Sequence, residues 1–225
     1  MTAPLDILHF DDSMVAVSKP GGLLVHRSRI SRDRVYLLQT LSRQVDRTLY
    51  PVHRLDRAAS GVILFGLTSR DARTLHESLK EGSSRKEYLT LARGSTPEVW
   101  ESTRPLTGPT GTRLEARTAF EKIADFFRLS LLRVRTYSGR RHQIRRHLHH
   151  EAHQILGDTT YGKGRINRFF REEYGLPRLF LHATLVSIPH PRTGEPLILQ
   201  SPLAEDLRAF LLRLPGCDPD LVETL

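Results

Sequence analysis

The residues most suggestive of chemistry lie in the segment His53–Gly61, where one carboxylate stands between two guanidinium groups. Asp56 is flanked by Arg54 and Arg57, and the apolar run Val62–Phe65 follows directly. Nearby positive charge favours the ionised form of a carboxylate, even inside a pocket. A carboxylate held in this form is a poor general acid but suits a nucleophile, or an ion that stabilises positive charge on a sugar. A surface salt bridge at a strand entry is the simpler alternative.

The charge of the chain indicates a nucleic-acid partner. Its 225 residues include 34 lysines and arginines against 25 aspartates and glutamates, giving a formal net charge of +9. Arginine supplies 29 of those 34 basic residues. Because a guanidinium group binds phosphate in a planar, two-pronged way and stacks on bases, this composition suits nucleic acid. A nucleophilic carboxylate in a phosphate-binding protein predicts chemistry at C1′ of a nucleoside.

Other features of the sequence exclude several protein classes. The single cysteine, Cys217, leaves no internal disulfide framework and no cysteine zinc site. No apolar run approaches the roughly 20 residues of a membrane span. Residues 1–6 lack the basic-then-apolar form of a signal peptide, so we expect a cytoplasmic protein without membrane contact. Few residues precede the first predicted strand, and we therefore expect no small N-terminal RNA-binding domain.

The hydrophobic pattern predicts alternating strands and helices in one domain covering residues 1–225. The predicted strands are two short ones within 7–19, then 62–65, 85–92, 118–123, 126–134, 179–188 and 197–200. Helices are predicted at 35–45, 71–80 with Ser69 as N-cap, 141–148, and 203–214 with Ser201 as N-cap. Residues 97–111 are predicted to be loop-rich, and 165–178 to be a basic, helical insertion.

The most charged segment runs from Arg128 to His150 and contains seven arginines, four histidines and no acid. On the predicted helix, Arg141 and Arg145 are four residues apart and would share one face. Like charges so placed repel each other, which predicts that they meet a carboxylate or a phosphate. A metal site made from the histidines of this region is disfavoured, because Glu151 is the only local carboxylate and the arginines would repel a cation.

Three blocks of sequence, in this order, resemble the pseudouridine synthases of the branch that modifies large-subunit ribosomal RNA and tRNA. These blocks are 11–26, then 53–61 with 86–88, and then 139–145 with 157–162. The resemblance implies an α+β fold in which a long, mixed, mostly antiparallel central sheet is flanked by helices and crossed at its middle by a cleft. It implies two subdomains that share this sheet, and no metal or organic cofactor.

The resemblance also implies a role for individual residues. Asp56 would be the catalytic aspartate, acting as a nucleophile on C1′ or through an elimination route. Tyr88 would pack against the flipped base, and Arg145 would pair with Asp56 and orient it. Arg54 would enter the RNA stack as the target base leaves it. The other residues implied in substrate binding are Arg57, Lys86, Arg141, His142 and Gln143.

The implied reaction is the isomerisation of a specific uridine to pseudouridine by a monomeric enzyme. The implied substrate is tRNA, at a T-stem uridine of the position-65 type. The same reaction on ribosomal RNA or on another tRNA uridine is one alternative. An RNA-binding or folding-assistance protein is a second, and an N-glycoside hydrolase that releases the base to water is a third. The hydrolase reading lacks an obvious second carboxylate to activate that water.

Overall fold

The structure is a computed structural model that describes residues 4–26, 33 and 35–225. Its contacts divide the chain into two compact units. The first unit comprises Met1–Lys86 and Ala183–Ser201, and the second comprises Glu87–His182 and Pro202–Leu225. Among the described residues, no helix combines the length and the apolar character that crossing a membrane requires.

The described residues form twelve strands and six helices, so the α+β class is confirmed. The strands are β1 (Asp6–Phe10), β2 (Met14–Lys19), β3 (Tyr50–Pro51), β4 (Ser60–Gly66), β5 (Arg85–Arg93), β6 (Val99–Ser102), β7 (Leu106–Thr107), β8 (Arg113–Leu114), β9 (Thr118–Phe126), β10 (Leu129–Thr136), β11 (Leu181–Pro189) and β12 (Pro196–Gln200). The helices are α1 (Leu37–Val45), α2 (Ser69–Ser78), α3 (Gln143–His150), α4 (Gly164–Tyr174), α5 (Glu205–Leu211) and α6 (Pro219–Glu223).

In the first unit the strand order is β1-β2-β4-β11, with β3 beside β4 and β12 beside β11. Strand β4 is buried along its whole length, which explains why its sequence is a continuous apolar run rather than an alternating one. One face of this sheet packs against α2 through a cluster that includes Met14, Leu64, Leu75 and Val186. The segment that carries Asp56 therefore leads into one of the most deeply buried strands of the unit.

In the second unit the strand order is β5-β10-β9-β6. The hairpin β9–β10 turns at Phe127 and Arg128, whose φ angles are 50° and 59°. A two-residue turn with two positive φ angles normally carries Asn-Gly or Asp-Gly, so the sequence gives little signal for it. The sequence therefore predicts that one strand ends at Ile123 and the next begins at Phe126. In the structure, β9 extends to Phe126 and β10 begins at Leu129. The side chain of Phe127 packs against the ring of Phe170 on α4, with 6.0 Å between the two ring centroids.

Two predicted helix caps are wrong. Helix α2 begins at Ser69 itself, and its N-cap is Thr68, whose Oγ1 accepts a hydrogen bond from the Asp71 backbone N–H and donates one to the Asp71 carboxylate. These two bonds tie the Thr68 side chain to the first turn of α2, which places the cap one residue earlier than predicted. Ser201 caps no helix, because its backbone N–H donates to Thr184 and its hydroxyl bonds to Ser18. The closing helix therefore begins later, at Glu205.

Two further expectations about local structure need correction. The loop-rich segment 97–111 contains β6 and β7, and β6 pairs with β9 from Val99 to Ser102. Helix α3 begins at Gln143, so Arg141 precedes it and does not share a helical face with Arg145. His142 explains this late start, because its left-handed backbone (φ 53°) cannot belong to the first helical turn.

Gly61 is a position where only glycine fits, and Gly61→Ala is expected to destabilise the protein by at least about 2 kcal/mol. A Cβ there would lie 2.1 Å from the backbone oxygen of Ala183, and the residue also has a φ of +103°. Overpacking against backbone and a positive φ each cost about 1–3 kcal/mol. The control is Gly22→Ala, where φ is +83° but no atom of the described residues lies within 4 Å of the added Cβ. Urea unfolding of both variants measures the difference; equal losses would contradict the steric explanation.

Candidate active site and nucleic-acid interface

Asp56 lies in a short turn at the entry of β4. It is half-buried, its neighbour Leu55 is buried, and its carbonyl accepts a hydrogen bond from the backbone N–H of Ala59 at 3.1 Å. The strand that follows is fixed by antiparallel pairing with β2, in which Lys19 faces Gly61. The backbone around the carboxylate is therefore positioned by the turn and the sheet together.

Lys19 fixes the loops on both sides of this turn, a role that the sequence did not predict. Its side chain is 1% exposed, and its ammonium group donates to the carbonyls of Pro20, Leu23 and Arg57 at 2.8, 2.9 and 3.2 Å. The backbone N–H of Gly22 donates to the same Arg57 carbonyl at 2.8 Å. Three carbonyls directed at one buried ammonium group hold the 20–23 loop against the segment that carries Asp56.

Arg57 strengthens this connection through its side chain. Its Nε donates to the carbonyl of Gly22, and its Nη2 pairs with the carboxylate of Asp33, both at 3.0 Å. Arg54 is exposed, as a side chain that contacts RNA must be, and Arg57 is exposed as well although its guanidinium group is held by Gly22 and Asp33. The two arginines beside Asp56 therefore differ in their surroundings, and substrate binding by either one stays a prediction.

Burial lowers the pKa values of both His53 and Lys86. Burial, helped by the positive charge of Lys86, lowers the pKa of His53 to about 4. The ring is therefore neutral at neutral pH, and its Nε2 accepts a hydrogen bond from the Leu64 backbone N–H at 3.2 Å. Burial also lowers the pKa of Lys86, whose ammonium group donates to the Leu79 carbonyl at the end of α2.

In the second unit, Arg145 forms a buried, two-pronged ion pair with Asp158. The distances are 2.7 Å from Nε to Oδ2 and 2.8 Å from Nη2 to Oδ1, and the side chains are 8% and 1% exposed. The guanidinium carbon also lies 5.2 Å from the ring centroid of Tyr161. The carboxylate of Asp158 therefore fixes the plane of this guanidinium group, and the sequence did not predict this partner for Arg145.

Asp158 organises the loop that follows it. Burial raises its pKa, but hydrogen bonds from Arg145 and from the backbone N–H groups of Tyr161 and Thr160 lower the pKa by more, so that the net pKa is below its ordinary value. The loop is held further by Asn167, whose side chain donates to the Asp158 carbonyl and accepts from the N–H of Gly157. The Gly157–Gly162 motif was the available signal for this arrangement.

Gln143 is surrounded by partners from its own unit. Its amide oxygen accepts from the Ser138 hydroxyl and the Arg140 N–H, while its amide nitrogen donates to the Arg117 carbonyl and the Thr118 hydroxyl. The side chain is 5% exposed. These four bonds join the β10–α3 turn to β9, which is a positioning arrangement; contact between Gln143 and substrate stays a prediction.

The remaining predicted site residues of this unit are more accessible. Tyr88 lies on β5, paired with Val134, and is half-buried. Arg141 is exposed, and His142 is half-buried with its Nδ1 hydrogen-bonded to the Tyr161 hydroxyl at 3.1 Å. Asp56 and Arg145 belong to different units, and their predicted pairing stays a prediction.

Among the described residues, one group has the side chains that could ligate a metal: His9, Asp11 and His190. Both imidazole Nε2 atoms lie close to Asp11 Oδ2, at 2.6 Å for His9 and 2.8 Å for His190. The Nδ1 of His190 accepts from the backbone N–H of Thr193 at 3.2 Å. Its Nε2 therefore carries the proton and donates to Asp11, so this group is better described as a hydrogen-bonded clamp between two turns.

Comparisons with known proteins agree on one family. The sequence profile of the family described as RNA pseudouridylate synthase matches residues 13–150. A protein of Haemophilus ducreyi named tRNA pseudouridine synthase C is 36% identical over 229 residues, covering 88% of this chain and 90% of its own. A protein of the same name from Vibrio cholerae is 34% identical, covering 92% and 94% of the two chains.

Solved structures agree at the level of the fold. Human RNA pseudouridylate synthase domain containing 4 superposes with a TM-score of 0.76 at 21% identity, covering 95% of both chains. Human RNA pseudouridylate synthase domain containing 1 gives a TM-score of 0.71 at 22% identity, covering 92% of this chain and 87% of the other. The family match covers more than half of the chain and includes the segments of Asp56, Tyr88 and Arg145. The chain therefore belongs to the RNA pseudouridylate synthase family, whose members are isomerases acting on RNA.

Proposed function

We propose that this protein converts one uridine of tRNA to pseudouridine, at a site in the T stem, with Asp56 as the catalytic aspartate. The observation that carries the tRNA assignment is the similarity to proteins named tRNA pseudouridine synthase C. In the examples from Haemophilus ducreyi and Vibrio cholerae it extends over about nine-tenths of both chains. The arginine-rich composition supports an RNA substrate, because guanidinium groups bind the phosphate backbone.

In the proposed reaction the glycosidic bond is exchanged for a carbon–carbon bond. The Asp56 carboxylate assists cleavage of the C1′–N1 bond, either by attacking C1′ or through an elimination route, and the bonding electrons go to uracil. The detached uracil anion rotates so that C5 faces C1′. C5 then bonds to C1′ while the Asp56–C1′ bond breaks and restores the carboxylate; on the elimination route, the proton removed from C2′ returns instead. N1, freed from the sugar, takes up a proton as C5 loses one. Loss of the C5 proton, in which Tyr88 takes part, restores the aromatic ring. Atoms and charge balance without a cofactor.

The surroundings of Asp56 suit this role. Its turn is anchored through Arg57 by the buried Lys19 and by Gly22, so the carboxylate is presented by a fixed backbone. A fixed carboxylate reduces the cost of orienting the reacting groups. Arg145, held in one plane by Asp158, is proposed to orient Asp56, and exposed Arg54 is proposed to replace the target base in the RNA stack.

The experiment that tests the substrate is pseudouridine mapping in total RNA from cells that lack the protein. Carbodiimide labelling with primer extension is expected to show the loss of one T-stem pseudouridine in tRNA, restored by the wild-type gene. Loss of a pseudouridine in ribosomal RNA alone would contradict the tRNA assignment but keep the reaction. No loss at any position would contradict the proposed function. The cytoplasmic location and the monomeric state stay predictions.

A further inference from the structure

A cavity of about 520 Å³ lies within the second unit, outside the set of residues proposed for catalysis. Its walls come from the start and end of α3, from the loop after Asp158, and from the turn 107–109. The side chains that matter for its chemistry are Arg141, His142, Arg146, His149, His150 and Tyr161. Neither Tyr88 nor Arg145 lines it, so it does not include the residues of the second unit that are proposed to act on the target uridine.

The walls of this cavity are basic. Of the ten lining residues that the structure describes, two are arginines, three are histidines and none is acidic. The arginines keep their charge at every physiological pH, whereas burial and the nearby Arg104 lower the pKa of His150, which keeps that ring neutral. The cavity therefore combines two permanent positive charges with the surfaces of several aromatic rings.

The aromatic rings of the cavity form a connected surface. The ring of Tyr161 lies 5.7 Å from that of His142 and 5.7 Å from that of His149, and His149 lies 5.7 Å from His150. His149 Nδ1 donates to the Tyr161 carbonyl at 2.9 Å, which fixes its ring. Flat rings held in place are the surface on which nucleobases stack, and such stacking tolerates any base.

Hydrogen bonds within the second unit hold the walls of this cavity in place. Arg146 Nη1 donates to the Thr107 carbonyl at 3.0 Å, which holds the 107–109 turn against α3. The backbone N–H groups of Thr160 and Tyr161 donate to the Oδ1 of Asp158, at 2.8 and 3.0 Å. Because Asp158 also holds Arg145, one carboxylate positions both the floor of the cavity and the arginine proposed to orient Asp56.

We propose that this cavity binds one nucleotide of the RNA substrate outside the target uridine. The phosphate lies against Arg141 and Arg146, and the base stacks on the ring of His149, which is tilted by 46° from the ring of Tyr161. This inference rests on the proposed function for the identity of the RNA, and it adds a second point of attachment that fixes the RNA relative to the catalytic residues. Two attachment points set the register of a substrate better than diffuse attraction does.

The test is equilibrium binding of a tRNA transcript to the full chain between 50 and 200 mM salt. Arg141→Ala is expected to weaken binding about tenfold and to lower the salt slope by about one, as for the loss of one phosphate contact. His149→Ala is expected to weaken binding at least about fivefold with an unchanged salt slope, because a stacking contact releases no counterion.

The matched control is Arg165→Ala, which removes the same charge from an exposed position on α4. It is expected to change affinity less than twofold. Equal effects of Arg141→Ala and Arg165→Ala would show diffuse attraction and overturn the proposal, as would unchanged binding by His149→Ala. Such a result would leave pseudouridine formation by the wild type untouched, so failure of the cavity and failure of the proposed function are separate outcomes.

Discussion

Asp158→Asn is expected to lower the free energy of unfolding by about 3–5 kcal/mol, the cost of leaving a buried charge without its partner. The change removes the negative charge that faces the buried guanidinium group of Arg145 at two nitrogen atoms. An asparagine amide can accept only one of these bonds, and its NH₂ group would face the other donor. The variant is therefore also expected to lose catalytic activity, because Arg145 loses its fixed orientation.

The matched control for this prediction is Asp206→Asn. Asp206 makes the same two-pronged contact with Arg178, at 2.6 and 2.8 Å, but its side chain is 44% exposed. The Arg178 side chain is only 11% exposed, but the exposed carboxylate of Asp206 lets water screen the pair, so we expect a contribution of at most about 1 kcal/mol. Urea unfolding at pH 7 measures both variants, and an Asp158→Asn loss as small as that of the control would contradict the account of the buried pair.

The pH dependence of the same variant gives an independent check. The folded state holds the pKa of Asp158 below its ordinary value, so the stabilisation is present above the unfolded pKa of about 4 and is lost as the pH falls through the folded value. The stability difference between wild type and Asp158→Asn is therefore expected to shrink from pH 7 towards pH 3. A difference that grows on acidification would contradict this sign.

Asp56→Asn is expected to reduce pseudouridine formation by about a thousandfold or more while leaving tRNA affinity within a few-fold of wild type. The amide keeps the shape of the side chain but cannot act as the anion that the reaction requires, and removal of a catalytic nucleophile has effects of this size. The measurements are pseudouridine yield from a tRNA transcript in single-turnover conditions, and filter binding of the same transcript.

Asp46→Asn is the control for Asp56→Asn, because it makes the same change of charge at an exposed helix end. Asp46 has a left-handed backbone (φ 50°, ψ 46°), which asparagine tolerates well. This variant is expected to behave as wild type. Near-normal turnover by Asp56→Asn would falsify its assignment as the catalytic residue, whereas a joint loss of activity and affinity would indicate a structural role.

The parts of the fold that were predicted from the sequence are those with strong local signals. Strand β4 follows from an unbroken apolar run, and α1 from apolar residues spaced three and four apart, so both were found within two residues of their bounds. Both strands of the β9–β10 hairpin were predicted, but the turn was expected at 124–125 rather than at Phe127-Arg128, since no Asn-Gly or Asp-Gly pair marks its two positive φ angles. Ser201 was misplaced as a helix cap for a similar reason: its partners, Ser18 and Thr184, are not visible in the neighbouring sequence.

In the candidate site, too, residues within local motifs were predicted, whereas their distant partners were not. The motif around Asp56 identified the segment, but nothing local indicated that the buried ammonium group of Lys19 would hold it in place. Arg145 was recognised by its motif, whereas its buried partner Asp158 is thirteen residues further along, beyond the reach of helical spacing. Gln143 was predicted from the family motif to contact substrate, which stays a prediction, but its four hydrogen bonds within its own unit were not predicted because their partners are not marked by any local pattern.

The measurement that most directly tests the central claim is the fate of the C5 hydrogen and of the base itself. A tRNA transcript carrying uridine tritiated at C5 is incubated with the wild-type protein, and released tritium and free uracil are counted together. The proposed isomerisation predicts up to one tritium released per tRNA, no free uracil, and neither product with Asp56→Asn. Free uracil appearing with the abasic RNA would identify a hydrolase, and the absence of both products on tRNA and ribosomal RNA would contradict the proposed activity.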